Sequence, residues 1–308
     1  MKQLLAVVTA CILTTTTFAA GSDGKKYLII HADDAGMSHS VNRGTLDSMK
    51  NGVVSSASIM VPCPWFKEFA EIARENPTLD YGIHLTLNSE WENYRWGPVA
   101  QPSKVPSLID EEGYLWDNVQ QVALNAKAAE VAIELRAQIQ RALDFGVPLT
   151  HLDTHMGAVL SRPDLFEVYT NLASEFNLPV MMLREFDEQR KREYPALVVE
   201  KAATLVKKLE DDGFPLLDSI SQFYGGDTHE ERRTQYVKSL QNLEPGFSQL
   251  IIHCGYADDE LRAITSSAER RNGDRDIFME PQIAKLIESL GIEVITWKQF
   301  REMKAEGK

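Results

Sequence analysis

Short apolar runs alternate with longer amphipathic segments along most of this chain of 308 residues. Short continuous apolar runs predict buried strands of a parallel sheet, and the segments between them predict helices. This order indicates an α/β fold whose parallel sheet closes, or nearly closes, into a TIM-like (β/α) barrel of seven or eight strands, with distortion allowed. A doubly wound open sheet is the alternative. The predicted strands cover residues 26–33, 55–61, 81–87, 149–155, 179–183, 217–223, 249–254 and 293–297.

Helices are predicted between these strands. Ser38 is a suitable N-cap for the first helix, and Gly52 is a typical stop. Residues 88–118 are rich in Pro, Gly and aromatic residues without a clear period, so they predict a long loop, and such loops are often functional. No repeat or linker divides the chain, which predicts one domain over residues 25–308. The predicted helices cover residues 38–52, 66–75, 119–145, a segment that begins at 163, 195–211 and 228–243.

The first twenty residues have the pattern of a signal peptide. Lys2 precedes an apolar stretch over residues 4–13, and small residues at Ala19 and Ala20 offer a cleavage site. The stretch is too short and too rich in Thr for a membrane-spanning helix. Cys11 loosely matches a lipoprotein signal, but it lies early and the apolar run continues past it. We therefore expect export to the periplasm or the extracellular space, without lipid attachment.

The net charge limits the classes of partner, and the cysteine content limits the possible disulfides. The formal net charge is −13, with 44% hydrophobic and 25% charged residues. This composition is typical of a globular protein, and its acidic balance argues against nucleic acid and anionic membrane as partners. In an oxidising compartment Cys63 and Cys254 become a possible disulfide pair, although two small buried hydrophobic residues are an equally good interpretation. A homodimer is left open.

Five of the seven histidines fall in or at the ends of predicted strands, where the active sites of α/β folds form. Their alternation places His151, Asp153 and His155 on one face of a strand. A lone histidine of this kind is usually a hydrogen-bonded core residue, but five of them beside acidic residues indicate a metal or catalytic centre. The two others, His39 and His229, fall in predicted helices and are expected in solvent. The five are His31, His84, His151, His155 and His253.

These residue types suit a metal site with two imidazoles and one carboxylate, which leaves positions open for water and substrate. The adjacent Asp33 and Asp34 allow one carboxylate to bind the metal while the other acts as a base. The alternatives are a strand-end turn for this pair and structural roles for the histidines. No serine-hydrolase or nucleotide-binding motif is present.

Five motifs in order resemble the YdjC-like carbohydrate deacetylases, which include chitooligosaccharide deacetylases and are distantly related to NodB-type polysaccharide deacetylases. The resemblance covers nearly the whole mature chain. It implies a barrel-like fold and a divalent metal, Mg²⁺ or Zn²⁺, held by Asp34, His84 and His155. It also implies a catalytic base at Asp33 and a histidine that faces the substrate or the leaving group at His253. The motifs read HADDAG, YGIHLTL, THLDTHMG, LIIHCGYADDEL and RDIFM.

Other residues are expected to support this centre. Arg275 matches a late arginine of the family, followed by an acid, and is expected in substrate binding or a charge network. The long loop contains Trp91, Tyr94 and Trp96. These aromatic residues are expected either to stack on sugar rings or to anchor the loop to the barrel. His31 and His151 are expected in structural or ligand-orienting roles. Asp153 is expected either to orient a ligand or to hold a neighbouring strand.

The resemblance implies that the protein hydrolyses the N-acetyl group of an acetylated amino sugar or oligosaccharide and releases acetate. In that reaction His253 is expected to protonate the leaving amine, or else only to bind a sugar hydroxyl. Two departures from the family are visible. Met156 and Gly157 stand where many members continue with a histidine-rich run, and the secretion signal indicates an extracytoplasmic glycan. A non-catalytic glycan-binding protein and a glycoside hydrolase are the alternatives.

Overall fold

The longest strand, β1 (Lys26–Ala35), lies inside the sheet, with nine of its ten residues buried. The structure is a computed structural model and describes residues 24–186, 190–193, 196–226 and 228–307. On one side β1 pairs in parallel with β6 (Gly246–Ile252) over seven positions. Its first residues also pair with β7 (Ile292–Val294), and its last residues with β2 (Ser56–Ile59). Burial on both faces explains the apolar runs of the sequence.

The remaining strands extend this sheet in both directions. They are β3 (Tyr81–Leu85), β4 (Leu149–Thr154) and β5 (Ser219–Gln222). The order is β4-β3-β2-β1-β6-β5, with β7 beside β1, and every pairing is parallel. The predicted parallel α/β architecture is therefore confirmed as a distorted, TIM-like (β/α) barrel whose seven strands do not close by regular pairing.

Residues 179–183 connect the two edges of the sheet but do not form the predicted strand. The N–H of Met181 donates to the carbonyl of Leu152 in β4, and the N–H of Leu217, before β5, donates to that of Met182. Each side contributes only a single isolated bridge, at Val180 and at Leu183. The segment is extended and apolar, as predicted, but each pairing is too short to count as a ladder.

Twelve α-helices occur in the described residues, and two regions differ from the prediction. The predicted helix over residues 119–145 is wrong, since it is two helices separated by an extended Ala126. The guanidinium of Arg162 donates to the carbonyls of Ala123 and Ala126 and so satisfies the end of the first helix. The four helices after β6 were not predicted. The twelve are α1 (His39–Asn51), α2 (Phe66–Glu75), α3 (Val119–Asn125), α4 (Ala128–Asp144), α5 (Pro163–Phe176), α6 (Arg190–Glu193), α7 (Ala196–Asp211), α8 (His229–Gln241), α9 (Asp259–Ile264), α10 (Ala268–Met279), α11 (Pro281–Ser289) and α12 (Trp297–Ala305).

The last predicted strand, over residues 293–297, is also misplaced. β7 ends at Val294, and the hydroxyl of Thr296 accepts from the N–H of Gln299 as the N-cap of α12. Trp297 is therefore the first residue of a helix, and its indole N–H donates to Gln249 of β6 at 3.0 Å. The capping pair Thr296 and Gln299 is a sequence signature of a helix start.

The barrel interior changes from apolar to polar along β1. Tyr27 and Ile29 belong to a buried cluster with Phe247, Trp297 and Phe300, which fills the end where the strands begin. His31 and Asp33 follow on the same face of the strand by its period of two. The outward residues between them pack against the surrounding helices instead. The polar side chains are therefore left for the carboxyl ends of the strands.

Three expectations concern features outside this interior. The signal peptide over residues 1–20, with Cys11, lies outside the described residues. None of the helices in the described part of the chain combines the length and the apolar composition that a membrane crossing needs. Cys63 and Cys254 are both buried and unpaired, so the structure favours the interpretation as small buried hydrophobic residues over the disulfide.

Gly44 of α1 provides a test of the packing between the helices and the loop after β6. A Cβ atom at Gly44 would lie 2.6 Å from Cα of Gly255, whereas one at Gly273 of α10 would lie 3.6 Å from the nearest atom. We expect Gly44→Ala to lower the free energy of unfolding by about 1–3 kcal/mol through overpacking. The matched control Gly273→Ala should be neutral or stabilising, because Ala favours a helix. Denaturant titration followed by circular dichroism measures both, and equal effects would contradict the packing.

Candidate metal centre and active-site cavity

Two consecutive carboxylates, Asp33 and Asp34, lie at the end of β1. In a regular strand neighbouring side chains point to opposite faces. Here the register with β2 shifts after Ala32, and Asp34 has a φ of 69°, a conformation that Asp tolerates better than most residues. The irregularity turns both carboxylates toward one histidine. Nε2 of His84 lies 3.4 Å from Oδ1 of Asp34 and 3.7 Å from Oδ2 of Asp33.

Asp153 orients His84 from the neighbouring strand. Its Oδ1 lies 2.6 Å from Nδ1 of His84, and its Oδ2 lies 2.9 Å from Nε2 of His31. Burial alone would raise the pKa of Asp153, but the two imidazoles outweigh it and hold this pKa far below its usual range. As an ionised acceptor, Asp153 fixes Nδ1 of His84 as the protonated nitrogen and leaves Nε2 to face the carboxylates of β1. The orienting role expected of Asp153 requires such a contact with His84.

His155 follows β4 and faces Asp34 from the other side. Its Nδ1 lies 3.3 Å from Oδ1 of Asp34, and its Nε2 lies 3.0 Å from Oε1 of Glu90. Burial alone would lower the pKa of His155, but the carboxylates of Glu90 and Asp34 raise it to about 9. Glu90 is not predicted from the sequence, because no pattern in residues 88–118 indicates that this loop folds back onto the strand ends.

A second missed residue is Arg271 of α10. Its Nη2 donates to Oδ2 of Asp34 at 2.6 Å. Arg275, expected in substrate binding or a charge network, lies one turn further along the helix. Its guanidinium pairs with Asp276 and stacks on the ring of Tyr256, with 3.8 Å between its Cζ and the ring centroid. The structure thus places Arg271, not Arg275, against the carboxylates of β1.

The two aspartates differ in charge state because their surroundings differ. Burial raises the pKa of Asp33 to about 7, although His84 and His31 partly oppose it. Burial acts on Asp34 too, but Arg271 and the imidazoles hold its pKa well below the usual range. Asp34 is therefore the permanent anion of the pair. Asp33 is the stronger base near neutral pH, which is the property that a general base requires.

His253 follows β6, which begins and ends earlier than predicted, at Gly246 and Ile252. Its Nε2 lies 4.0 Å from Oδ2 of Asp34, and its backbone N–H donates to Asp274. Burial lowers the pKa of His253 to about 3, with Arg271 acting in the same direction. The imidazole of His253 is therefore neutral near neutral pH, and it faces the same group of side chains as Asp33.

The remaining predicted residues lie away from the centre. Trp96 is only 3% exposed and its indole N–H donates to the carbonyl of Asn88, so it anchors the loop and offers no free ring face to a sugar. Trp91 packs edge-on against it. His151 is also buried, lies one layer deeper in the barrel and stacks on Trp297, with ring centroids 4.9 Å apart. His39 and His229 are partly exposed and pair with glutamates.

Three overlapping groups of buried side chains could hold a metal ion, and one fits best. In two of them Asp153 is already committed to short hydrogen bonds with imidazoles. In the third, the three ligand atoms all lie within 4.8 Å of one another, and Oδ1 of Asp34 lies 3.4 Å from Nε2 of His84 and 3.3 Å from Nδ1 of His155. Two atoms bound about 2.1 Å from one ion are separated by roughly this distance. Oδ1 of Asp34 is buried without a hydrogen-bond partner in the described residues, as a ligand oxygen would be.

A cavity of about 380 Å³ opens beside this group. Asp33, His84, His155 and His253 line its polar end. Its opposite wall is formed by aliphatic, thioether and aromatic side chains. Buried carboxylates and imidazoles beside a concave cavity are typical of an active site.

Comparison with known proteins shows the family. The profile of the YdjC-like protein family matches residues 27–289. The chain belongs to this family. Two similar relatives are named carbohydrate deacetylase. The one from Thermus thermophilus is 33% identical over 92% of this chain and 96% of its own. The one from Thermoanaerobacter pseudethanolicus is 31% identical over 85% of this chain and 94% of its own.

A solved structure supports the same fold for this YdjC-like protein. A crystal structure from Enterococcus faecalis V583, described as a cellobiose-phosphate cleavage protein, superposes with a TM-score of 0.74. The two sequences are 27% identical, and the match covers 89% of this chain and 98% of the other.

We expect the Asp34, His84 and His155 group to bind one divalent ion. His84→Ala and His155→Ala should each reduce the metal content of protein purified without added metal, as measured by elemental analysis and calorimetric titration. Glu90→Gln should weaken metal affinity about tenfold, because it removes the charge that orients His155. The matched control is His229→Ala, whose side chain pairs with Glu280 on the surface. Unchanged metal content in both ligand variants would refute the assignment.

Proposed function

We propose that this protein is a metal-dependent carbohydrate deacetylase that hydrolyses the N-acetyl group of an acetylated amino sugar or oligosaccharide. The observation that carries the proposal is one buried group able to hold an ion, Asp34, His84 and His155, with a second carboxylate, Asp33, facing the same cavity. The names of the relatives agree with this reaction. With the predicted signal peptide, the substrate would be an extracytoplasmic glycan.

Amide hydrolysis requires activation of the water, of the carbonyl group and of the leaving amine. A divalent ion held there would supply the lowered pKa of water and the polarised carbonyl that amide hydrolysis requires. Asp33 is the candidate to accept the proton of the attacking water, and the contacts of Asp34 with Arg271 and the imidazoles support this choice. The C–N bond breaks readily only if the amine leaves protonated, which requires an acid.

His253 is the candidate for that acid, but its burial favours the neutral imidazole. As a neutral imidazole it must gain a proton before it can donate one, whereas hydrogen bonding to a sugar hydroxyl requires none. Both roles are compatible with its position at the cavity. Kinetics on amide and activated ester substrates distinguish the two roles.

The first test is acetate release. We expect the purified protein to release acetate from members of a panel of N-acetylated oligosaccharides, to lose this activity with a chelator, and to regain it with Mg²⁺ or Zn²⁺. Shortened sugars without acetate would indicate a glycoside hydrolase, the activity class closer to the description of the Enterococcus protein. Binding without any product would indicate a non-catalytic glycan-binding protein.

The second test separates the roles of Asp33 and His253. Asp33→Asn should retain metal and lose about 10²-fold or more in turnover, the scale expected for removal of a general base. His253→Ala should slow the natural amide strongly, but an activated ester much less, since a good leaving group needs no proton. Steady-state kinetics on both substrates measure this. Equal slowing of amide and ester would show that His253 is not the acid.

A further inference from the structure

The cavity beside the metal centre has a deep apolar wall that the acetyl group does not account for. Leu160, Met182, Leu183 and Ile251 line it and are all at least nine-tenths buried. They lie in the same cavity as the catalytic carboxylate and the candidate ligand histidines. The wall is therefore continuous with the place where the reacting carbonyl must lie.

The size of the cavity exceeds what an acetyl group needs. An acetyl group has three heavy atoms and occupies about the space of three water molecules at ~30 Å³ each. The cavity measures about 380 Å³. Several further methylene groups can therefore enter it beyond the methyl of an acetyl group.

The distribution of polar groups decides which part of the substrate enters. The carbonyl carbon of an amide carries two groups that diverge, the amino sugar and the acyl chain. A sugar ring needs hydrogen-bond partners for its hydroxyls, and unpaired buried hydroxyls are costly. One buried hydroxyl, that of Thr154 directly before His155, lines the cavity beside the centre. The other polar side chains of the lining outside the centre are Gln222 and Tyr224, which are both exposed and so mark the mouth. The sugar therefore fits toward the mouth, and the acyl chain fits toward the buried wall.

We propose that this wall is an acyl-chain subsite and that the protein hydrolyses N-acyl amino sugars with chains longer than acetyl, such as butyryl or hexanoyl. The proposal rests on the proposed deacetylase function. In the reaction water forms the new C–O bond, the C–N bond breaks, and the products are a fatty carboxylate and the protonated amine. The thioether of Met182 is flexible and lets the wall adapt to unbranched chains of different length.

The test uses a chitooligosaccharide series that differs only in the N-acyl group, either acetyl, butyryl or hexanoyl, with amine release as a common readout. Each buried methylene should raise kcat/KM about threefold to fourfold, so butyryl should exceed acetyl by about tenfold. Ile220→Trp, in β5 on the cavity wall, should lower the ratio of butyryl to acetyl kcat/KM about tenfold. The matched control Ile133→Trp, on α4 at the surface, should leave the ratio unchanged.

A measurement on the unaltered protein tests the same proposal without depending on the folding of a variant. Hexanoate should inhibit hydrolysis of the acetyl substrate at a concentration at least tenfold lower than acetate does. Hydrolysis of the acetyl substrate with slower cleavage of the longer chains would overturn the acyl subsite and leave the deacetylase function standing. A higher kcat/KM for substrates with an apolar aglycone, without any increase in kcat/KM as the acyl chain lengthens, would overturn the acyl subsite too. Cleavage of no member of the series would contradict the proposed function itself.

Discussion

The irregular end of β1 is the constraint on which the candidate site depends. A regular strand would send Asp33 into the barrel and Asp34 toward the helices. The register shift and the left-handed conformation of Asp34 place both carboxylates beside His84. Backbone conformations of this kind carry a cost and persist where the surroundings hold them. Here the contacts of Asp34 with Arg271 and His155 provide that support.

Burying so much charge is tolerable because the barrel interior is arranged in layers. The apolar cluster around Trp297 closes the end where the strands begin, and Asp153 with its two imidazoles forms the layer above it. Both oxygens of Asp153 contact an imidazole, which offsets the loss of water by its charge, whereas Nδ1 of His31 is buried without a hydrogen-bond partner in the described residues. The layer in turn holds His84 in one orientation. Thus the part of the fold that provides stability also positions the ring nitrogen that faces the candidate metal site.

The sequence predicted this architecture well where the signal was local. Apolar runs that end in charge located the central strands, and strand-end histidines located the centre, because parallel strands bring their carboxyl ends to one side. The prediction failed where distant residues decide the structure. Arg162 ends α3 without a local helix breaker, and residues 179–183 pair too briefly to form a strand. No local pattern reveals either contact.

The same distinction explains which site residues were missed. Asp34, His84 and His155 lie on or directly after parallel strands, so topology brings them to the same end of the sheet, and the irregular end of β1 then turns Asp34 toward the two histidines. Glu90 reaches His155 from a long loop, and Arg271 reaches Asp34 from a helix 237 residues further along the chain. Both contacts determine charge rather than position, since Glu90 raises the pKa of His155 and Arg271 lowers that of Asp34. The strands therefore establish where the reactive groups meet, while the loop and α10 establish the protonation states in which they meet.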